Sequence, residues 1–437
     1  MNKYIISPFK IFFADRSLSF DNIFFSTLLI FLPFVLITGR ALPDIFLSLI
    51  ACFFLIKSII KKKWHYYKNP ITYGFLIFSF YGIFRSFFYE TPIESLSNEG
   101  SVFYLRYIFF AMGVWYLLDI NPHLPRCMIV VSILSITIVS LDGLYQFLFG
   151  VNTFGFKYYS VDRLTGFFRD EPILGRYIAY LSLFTFALIY QNFQKTKKMI
   201  ILSVCFLVMS EVMVFLSGDR TPFFYMALFS ILILIFIPKF RIYRVIGILV
   251  LIIIIFIITQ NNLNIKNRMF DHTIHQVSQT KLPFLPYSPH HEEHYKASFK
   301  MFLEKPLFGI GTNSFRYECN KIKYKYDDRS CSTHPHNYYI QALAELGIIG
   351  FLFVLTFFIY LFYLGLRQFF YSIQLKDNKL LTLDFLLFPM ILFVYWWPLI
   401  PHMSLYNNWN NVLMMLPLGF FMRYLYDYKK NGNINSI

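Results

Sequence analysis

Long apolar runs separated by short polar turns dominate the chain. A helix needs about 20 mostly apolar residues to cross a bilayer, because its backbone polar groups must bond to one another where water is absent. Runs of this kind cover residues 22–38, 42–60, 70–88, 102–118, 126–149, 172–192, 198–217, 221–237, 242–259, 342–366, 380–398 and 409–426. The pattern predicts an all-α fold, a polytopic membrane bundle of about 12 transmembrane helices.

One long polar stretch interrupts these runs and divides the chain into three parts. Residues 1–259 form an N-terminal bundle of about nine spans, 260–341 form a long loop, and 342–437 form about three C-terminal spans. Within the loop, Tyr295 and Phe299 recur at helical spacing among polar residues. This pattern predicts an amphipathic helix on the membrane surface, so we expect the loop to contain short helices.

The composition agrees with a membrane protein. Of the 437 residues, 57% are hydrophobic and only 15% are charged, whereas about a quarter are charged in soluble domains. The net charge of +16 could indicate nucleic-acid binding. In a membrane protein, however, Lys and Arg gather in cytoplasmic loops, and a basic outer face attracts lipid phosphates. We therefore expect no nucleic-acid partner.

The distribution of Lys and Arg along the chain predicts the orientation. If the N-terminus is cytoplasmic, every inside segment carries a basic residue, and the inside segments together carry more than twice as many as the short outside loops. Both termini are then cytoplasmic and the long loop is external. In a Gram-negative bacterium the loop would be periplasmic and the protein would lie in the inner membrane.

Charged residues cluster at the predicted outward ends of the spans. They are Arg163, Arg169, Asp170, Glu171, Arg176, Glu211, Asp219 and Arg220. Ionisable groups at a bilayer are costly, so a functional cavity is one explanation. The alternative is that long side chains send their charged ends to the lipid headgroups. Arg220 follows a very short turn, which favours a functional role for it.

Two histidines and an asparagine precede the apolar run 342–366. They are His334, His336 and Asn337. A histidine here could be a general base, a metal ligand, an interfacial aromatic or a helix-cap contact, and its ordinary pKa near 6.5 suits proton abstraction. The run from His290 to His294 has the spacing of an inverted zinc-protease motif. It follows proline-rich sequence, so we expect a solvated loop there.

The loop also contains Cys319 and Cys331, twelve residues apart. In an oxidising compartment they could form a disulfide that ties the loop down before the histidines. Two unpaired thiols are the alternative, because sequence alone does not give the distance between their Cα atoms.

Four sequence blocks together resemble the O-antigen ligase and O-antigen polymerase superfamily of bacterial membrane glycosyltransferases. The blocks are RLTGFFRDEPILGRYIAY (163–180), SGDRTPFF (217–224), KPLFGIGTNSF (305–315) and HPHNYYIQALAELGIIG (334–350). The last block, with its His-x-His-Asn and Glu-x-Gly-x-x-Gly pattern, is the most specific. The number of spans and the position of the long loop are similar to those of the family as well.

The resemblance implies a glycan donor linked to undecaprenyl diphosphate. The acceptor would be a lipid A core sugar or another glycan, membrane lipids would surround the protein, and no cofactor, metal ion or nucleotide sugar would be needed. The family's phosphate-binding arginines correspond to Arg220 and Arg163, and its key histidine corresponds to His336. The additional Arg169 departs from the pattern. Which of Arg163, Arg169 and Arg176 contacts the diphosphate therefore stays open.

The expected activity is metal-independent, inverting glycosyl transfer of the ligase type on the periplasmic side. His336 would take the acceptor proton while Arg220 and Arg163 stabilise the leaving diphosphate. The expected substrate-binding residues are Arg169, Arg176, Glu171, Asp219, His334 and Asn337. A polymerase with the same donor chemistry is one alternative. A transporter or flippase of an anionic lipid or polysaccharide is the alternative from another class, although no internal repeat typical of transporters is evident.

Overall fold

The fold is helical throughout the part of the chain that the computed structural model describes. That part comprises residues 8–13, 18–89, 92–97, 100–159, 163–193, 195–280, 288–373 and 383–430. Helices of eight or more residues in it are numbered in chain order. They are α1 (Phe20–Val35), α2 (Ala41–Ile60), α3 (Pro70–Ser86), α4 (Leu105–Ile120), α5 (Leu124–Phe149), α6 (Leu174–Asn192), α7 (Lys197–Leu216), α8 (Arg220–Phe236), α9 (Arg241–Asn261), α10 (His272–Gln279), α11 (Pro289–Glu304), α12 (Tyr338–Ile373), α13 (Leu383–Tyr395) and α14 (Asn408–Lys430).

Each of the predicted apolar runs overlaps one of these helices. Among the described residues, 7 helices are long and apolar enough to cross a membrane. They are Phe20–Thr38, Ala41–Ile60, Ser95–Ile120, Leu124–Phe149, Lys197–Leu216, Pro238–Asn261 and Tyr338–Ile373. The all-α multi-pass architecture is thus confirmed in outline. The count of about 12 spans stays a prediction, because α8 and α13, for example, are shorter apolar helices.

Helix α6 lies at the centre of the bundle. It packs against α5, α7, α8 and α13, and nearly all of its side chains from Leu174 to Tyr190 are buried. A helix enclosed by other helices does not need a lipid-facing apolar surface. This explains why α6 has a lower hydropathy than the helices that face lipid. The first turn of α6 carries Arg176, so the central helix presents this residue at one end of the bundle.

One buried ion pair stabilises the bundle away from that end. Arg244 of α9 contacts Glu211 of α7 and the hydroxyl of Ser230 in α8, and these residues are almost completely buried. Removing one partner would leave an uncompensated charge, which is strongly destabilising. Glu211, one of the charged residues that needed an explanation, therefore holds three helices together.

The predicted amphipathic helix in the long stretch after α9 is present as α11. Tyr295 and Met301 are buried, whereas Phe299 and Leu303 are exposed. The expectation of a solvated loop at His290–His294 is wrong, because these residues lie in the first turns of α11. Ser288 caps this helix by accepting a hydrogen bond from the His291 amide, and Pro289 occupies its first position, where a missing amide hydrogen costs nothing.

The break in α12 positions the end of the bundle. Gly347 has φ 67° and ψ −165°, which interrupts the helix. Residues 306–311 fill the gap, where the Ile310 amide donates to the Ala344 carbonyl at 3.0 Å and the Ile348 amide donates to the Pro306 carbonyl at 2.8 Å. The two blocks rich in glycine thus pack against each other, because only glycine permits so close an approach of two backbones.

Candidate active site

Arg220 begins α8 and faces the segment that follows α9. Its Nη2 and Nε donate to the Arg268 carbonyl at 2.7 and 3.1 Å, and its Nη1 donates to Gln276 Oε1 at 2.5 Å. Arg268 in turn donates from Nε to the Gly218 carbonyl at 3.3 Å. Two arginines from distant parts of the sequence therefore lie side by side at the start of α8.

Arg163 approaches the same place from the segment before α6, and Arg176 approaches it from the first turn of α6. Arg163 Nη2 donates to Asp219 Oδ1 at 2.5 Å and to the Pro172 carbonyl at 3.2 Å. The other oxygen of Asp219 accepts from the Gly175 amide at 3.2 Å. Asp219 thus joins the segment 163–176 to the start of α8 and orients Arg163.

Two guanidinium donors at this place have no protein partner. The Nε atoms of Arg163 and Arg176 are both buried and make no hydrogen bond within the described residues. A buried charged donor without an acceptor is costly. These two atoms are therefore suited to an anionic ligand.

His336 lies among other histidines just before α12. Its backbone is in the left-handed region, with φ 58°, and its carbonyl accepts from the His402 amide at 2.7 Å. The centre of its ring is 4.1 Å from that of His334, 5.2 Å from that of His291 and 5.4 Å from that of His294. Two separate chain segments, 334–336 and 291–294, therefore bring their imidazoles to this point.

His402 completes the cluster from the connection between α13 and α14. Its ring stacks on Tyr338 with centroids 4.2 Å apart, and it is 2% exposed. Neither ring nitrogen completes a hydrogen bond within the described residues, although the Trp397 carbonyl lies close enough to favour the protonated form. The His402 carbonyl accepts from His334 Nε2 at 3.3 Å, which holds both residues in place.

One cavity of about 570 Å³ joins the arginines to the histidines. Its charged and titratable lining residues are Arg163, Arg176, Asp219, Arg220, Arg268, His291, His334, His336 and His402. Four arginines therefore face a single aspartate, so the cavity carries excess positive charge. Among the described residues, no three His, Cys, Asp or Glu side chains converge as metal ligands would.

Burial keeps these histidines uncharged at neutral pH. Burial, together with the nearby His294 and Arg176, lowers the pKa of His336 to about 4. Burial lowers the pKa of His291 to about 3 and that of His402 to about 3, and it also lowers the pKa of His334. A neutral imidazole can accept a proton, which a charged one cannot.

The remaining predicted site residues lie elsewhere. Arg169 and Glu171 line a second cavity, where Glu171 Oε1 accepts from Arg40 Nη2 at 2.5 Å. Asn337 is buried at the start of α12, where its Oδ1 accepts from the Tyr339 amide at 2.9 Å and its Nδ2 donates to the Pro398 carbonyl at 2.8 Å. Both the oxygen and the nitrogen of the Asn337 side-chain amide thus form hydrogen bonds with the backbone.

Two features brace the loop behind the histidines. Cys319 and Cys331 form a disulfide with their Cα atoms 5.0 Å apart. The carboxylate of Glu345, 1% exposed, accepts hydrogen bonds from the amides of Asn313 at 3.2 Å and Phe315 at 2.9 Å. These contacts fix the loop against α12 and so fix the direction from which His336 enters the cavity.

Sequence reasoning did not identify Arg268, His291 or His402 as site residues. Arg268 lies in the long loop outside the four sequence blocks, and nothing near His402 in the sequence distinguishes it. His291 had a signal that could have been used. A serine followed by proline, Ser288-Pro289, is a typical helix start, so a helix could have been predicted there.

Residues 203–355 match the family model of the O-antigen ligase. This range contains Arg220, Arg268, His291 and His336, whereas the segment with Arg163 and Arg176 lies before it. A comparison with curated proteins gives no match. Members of the matched family are enzymes of the glycosyltransferase type in lipopolysaccharide biosynthesis and use glycan and lipid-linked substrates. The match confirms over residues 203–355 the resemblance to the O-antigen ligase and polymerase superfamily that the sequence blocks indicate.

Proposed function

We propose that this protein is a membrane glycosyltransferase that moves a glycan from undecaprenyl diphosphate to a hydroxyl group of an acceptor sugar. One observation carries the proposal: His336 lines the same cavity as four arginines. Glycosyl transfer from a diphosphate needs a base on the nucleophile and positive charge on the leaving group. A candidate base and positively charged groups line this one cavity.

The arginines would bind the diphosphate and stabilise its charge as it leaves. Guanidinium groups stay charged at all relevant pH values and can grip phosphate oxygens through two donors. Arg163 and Arg176 each have a buried Nε without a partner within the described residues, and a phosphate oxygen would satisfy it. Preorganised charge of this kind often makes the largest single contribution to rate.

His336 would accept the proton of the attacking hydroxyl. The bond between the acceptor oxygen and the anomeric carbon forms while the bond from that carbon to the diphosphate oxygen breaks. The electron pair of the broken bond stays on the diphosphate, and the proton moves to the imidazole. Attack from the face opposite the leaving group would invert the anomeric centre. No metal ion takes part in the proposed step.

His402 would donate or accept a hydrogen bond to the bound substrate. It lines the cavity, its ring is fixed by stacking on Tyr338, and its buried ring nitrogens complete no hydrogen bond within the described residues. His334 would hold this loop in place through its contact with the His402 carbonyl. The site would face the periplasm of a bacterial inner membrane, with both termini in the cytoplasm, as the distribution of basic residues predicts.

Transfer by the purified full-length protein tests the role of His336. The substrates are the lipid-linked glycan and the lipid A core of the source strain, in lipid nanodiscs. We expect His336→Ala to lower kcat by about 10²- to 10⁴-fold, the range for loss of a general base. His290→Ala is the matched control, because His290 is exposed on α11 and should leave kcat unchanged. Full transfer by His336→Ala would remove His336 from the base role.

A second substitution separates His402 from a purely structural role. His402→Phe keeps an aromatic ring against Tyr338 and removes both nitrogens. We expect kcat/KM to fall about tenfold, the size of one lost hydrogen bond to a charged group, with an unchanged melting temperature. A lower melting temperature with unchanged kcat/KM would show that His402 only supports the fold.

Deletion of the gene in the source strain distinguishes ligase from polymerase. A ligase defect removes all long chains from lipid A and leaves lipid-linked polymer in the membrane. A polymerase defect leaves a single repeat on the core. Gel analysis of the lipopolysaccharide resolves the two patterns, and unchanged glycans with altered uptake would favour a transporter.

A further inference from the structure

A second cavity of about 650 Å³ lies next to the proposed transfer site. The segment that supplies Arg163 and Arg176 to the site cavity supplies residues 167–171 and 173 to this one. Ile37–Arg40, Phe154, Phe156 and Trp409 complete its lining. A ligand that extends from the transfer site along this segment would therefore reach the second cavity.

The charge of the second cavity differs from that of the first. Arg40 and Arg169 face Asp170 and Glu171, so the formal charges balance. In the site cavity four arginines face one aspartate. An enclosure with balanced charge gives no net attraction to a diphosphate or an anionic headgroup, whereas its carboxylates and guanidinium groups can still accept and donate hydrogen bonds.

Aromatic rings form much of the remaining lining. Phe154 is 71% exposed and packs beside Phe167, with ring centroids 5.5 Å apart. The Arg169 guanidinium lies over Phe156, 5.4 Å from the ring centre, and Trp409 donates from Nε1 to the Leu36 carbonyl at 3.0 Å, which fixes its ring. The exposed ring of Phe154 offers flat apolar contact area beside polar groups.

This combination fits one class of ligand. A sugar ring has apolar C–H faces that pack on aromatic rings, and hydroxyl groups that donate to carboxylates and accept from guanidinium groups. A lipid tail could not form hydrogen bonds with the Arg40–Glu171 pair or with Asp170. A phosphate would face one carboxylate for each arginine and would therefore gain no net electrostatic attraction.

We propose that this cavity is a saccharide subsite, which holds uncharged sugar units beyond the one that reacts. The proposal rests on the glycosyltransferase function proposed above. The sugar units could belong to the donor glycan or to the acceptor core, since both carry the same chemistry. Phe154 would stack on a sugar face, and Glu171 and Arg169 would bind the hydroxyl groups of the sugar units.

Transfer kinetics with two donors test the subsite. The donors are the full-length lipid-linked glycan and the same lipid trimmed by glycosidases to one sugar. Phe154→Ala and Glu171→Gln should raise KM about five- to tenfold for the full-length donor, the size of one aromatic contact or hydrogen bond. With the trimmed donor KM should change less than about twofold. If the acceptor occupies the subsite, the same rise appears in the KM for full-length core and not for trimmed core.

Phe149→Ala is the control, because Phe149 is also exposed (65%) near the same loop and lines neither cavity. It should leave every KM unchanged. Equal effects of Phe154→Ala on full-length and trimmed substrates, or no effect on any of them, would overturn the subsite.

A binding measurement keeps the subsite testable if the protein shows no transfer at all. The free oligosaccharide, released from the lipid and dephosphorylated, is titrated into the full-length protein while tryptophan fluorescence is followed. Trp409 lines the cavity, so a saturable change that Phe154→Ala weakens at least about fivefold supports the subsite. Absence of a saturable change in the wild-type protein contradicts it. Failure of transfer alone contradicts only the proposed function.

Discussion

His336 combines an unusual backbone conformation with a crowded ring environment. Its φ of 58° lets its carbonyl meet the His402 amide while its ring lies beside three other imidazoles. The residue type and its place before an apolar run made His336 a candidate from sequence, and the family resemblance implied its key role. His291 and His402 could not be nominated in the same way, because they reach His336 through tertiary packing.

The pKa of His336 leads to a prediction for the pH dependence of transfer. His336 is neutral above its pKa of about 4, so kcat/KM should be insensitive to protonation of this group near neutral pH and fall on the acid side near pH 4. Arg176 lowers this pKa by its positive charge. Arg176→Gln should therefore raise the pKa of His336 and move the acid limb of the pH profile to higher pH.

The pH profile of kcat/KM between about pH 3.5 and 8 measures this shift. Arg169→Gln is the control, because Arg169 lines the other cavity and its loss should leave the position of the acid limb unchanged. An acid limb at the same pH in Arg176→Gln and the wild-type protein would contradict the assignment of the limb to His336.

At the scale of elements, the broken helix α12 and the segment 306–311 act as one unit. Glycines at positive φ on both partners, Gly309 and Gly347, permit the contact, and Arg85 of α3 donates to the carbonyls of Phe308 and Gly309 at 2.7 and 2.8 Å. The sequence predicted one continuous apolar span over residues 342–366, which includes Gly347. It could not indicate the break, because Gly347 alone in an apolar run does not distinguish a helical glycine from a helix interruption.

Gly309→Ala should disrupt this unit. A Cβ at Gly309 would meet the Glu345 backbone carbon at 2.3 Å, and the φ of +66° disfavours any side chain. We expect a loss of about 2–3 kcal/mol of stability together with loss of transfer. Thermal unfolding in detergent measures the first effect. Gly365→Ala, on α12, is the control, because a Cβ there meets nothing within 4 Å. Equal melting temperatures for the two variants would contradict the close contact.

At the scale of the whole molecule, the four sequence blocks form two touching pairs. The blocks 163–180 and 217–224 meet through Arg163 and Asp219, and the blocks 305–315 and 334–350 meet at the broken helix. The site cavity draws residues from both blocks of the first pair, from the block 334–350 of the second pair, and from Arg268 in the long loop. Apolar periodicity predicted the helices well. It did not predict which helix is central, because that depends on packing between segments.

The predicted orientation can be tested by labelling in intact cells. In variants that lack the native free cysteines Cys52, Cys127 and Cys205, a single cysteine replaces Asp328 of the long loop or Lys61 after α2. We expect a membrane-impermeant maleimide to label Asp328→Cys in cells with a permeabilised outer membrane. Lys61→Cys should react only after the inner membrane is lysed, because basic loops stay cytoplasmic. The reverse pattern would place the proposed site on the cytoplasmic face.

The hydrogen bonds that Arg220 makes have a further consequence. The Arg268 carbonyl and Gln276 Oε1 occupy several of its N–H groups, and these acceptors belong to the segment that leads from α9 into α10. A phosphate bound to Arg220 through two N–H donors competes with these acceptors. Substrate binding and docking of this segment therefore depend on the same guanidinium group. Amide hydrogen exchange across residues 263–280 would then increase when an anionic lipid occupies the site cavity. This segment would therefore report that the cavity is occupied, even before any glycan is transferred.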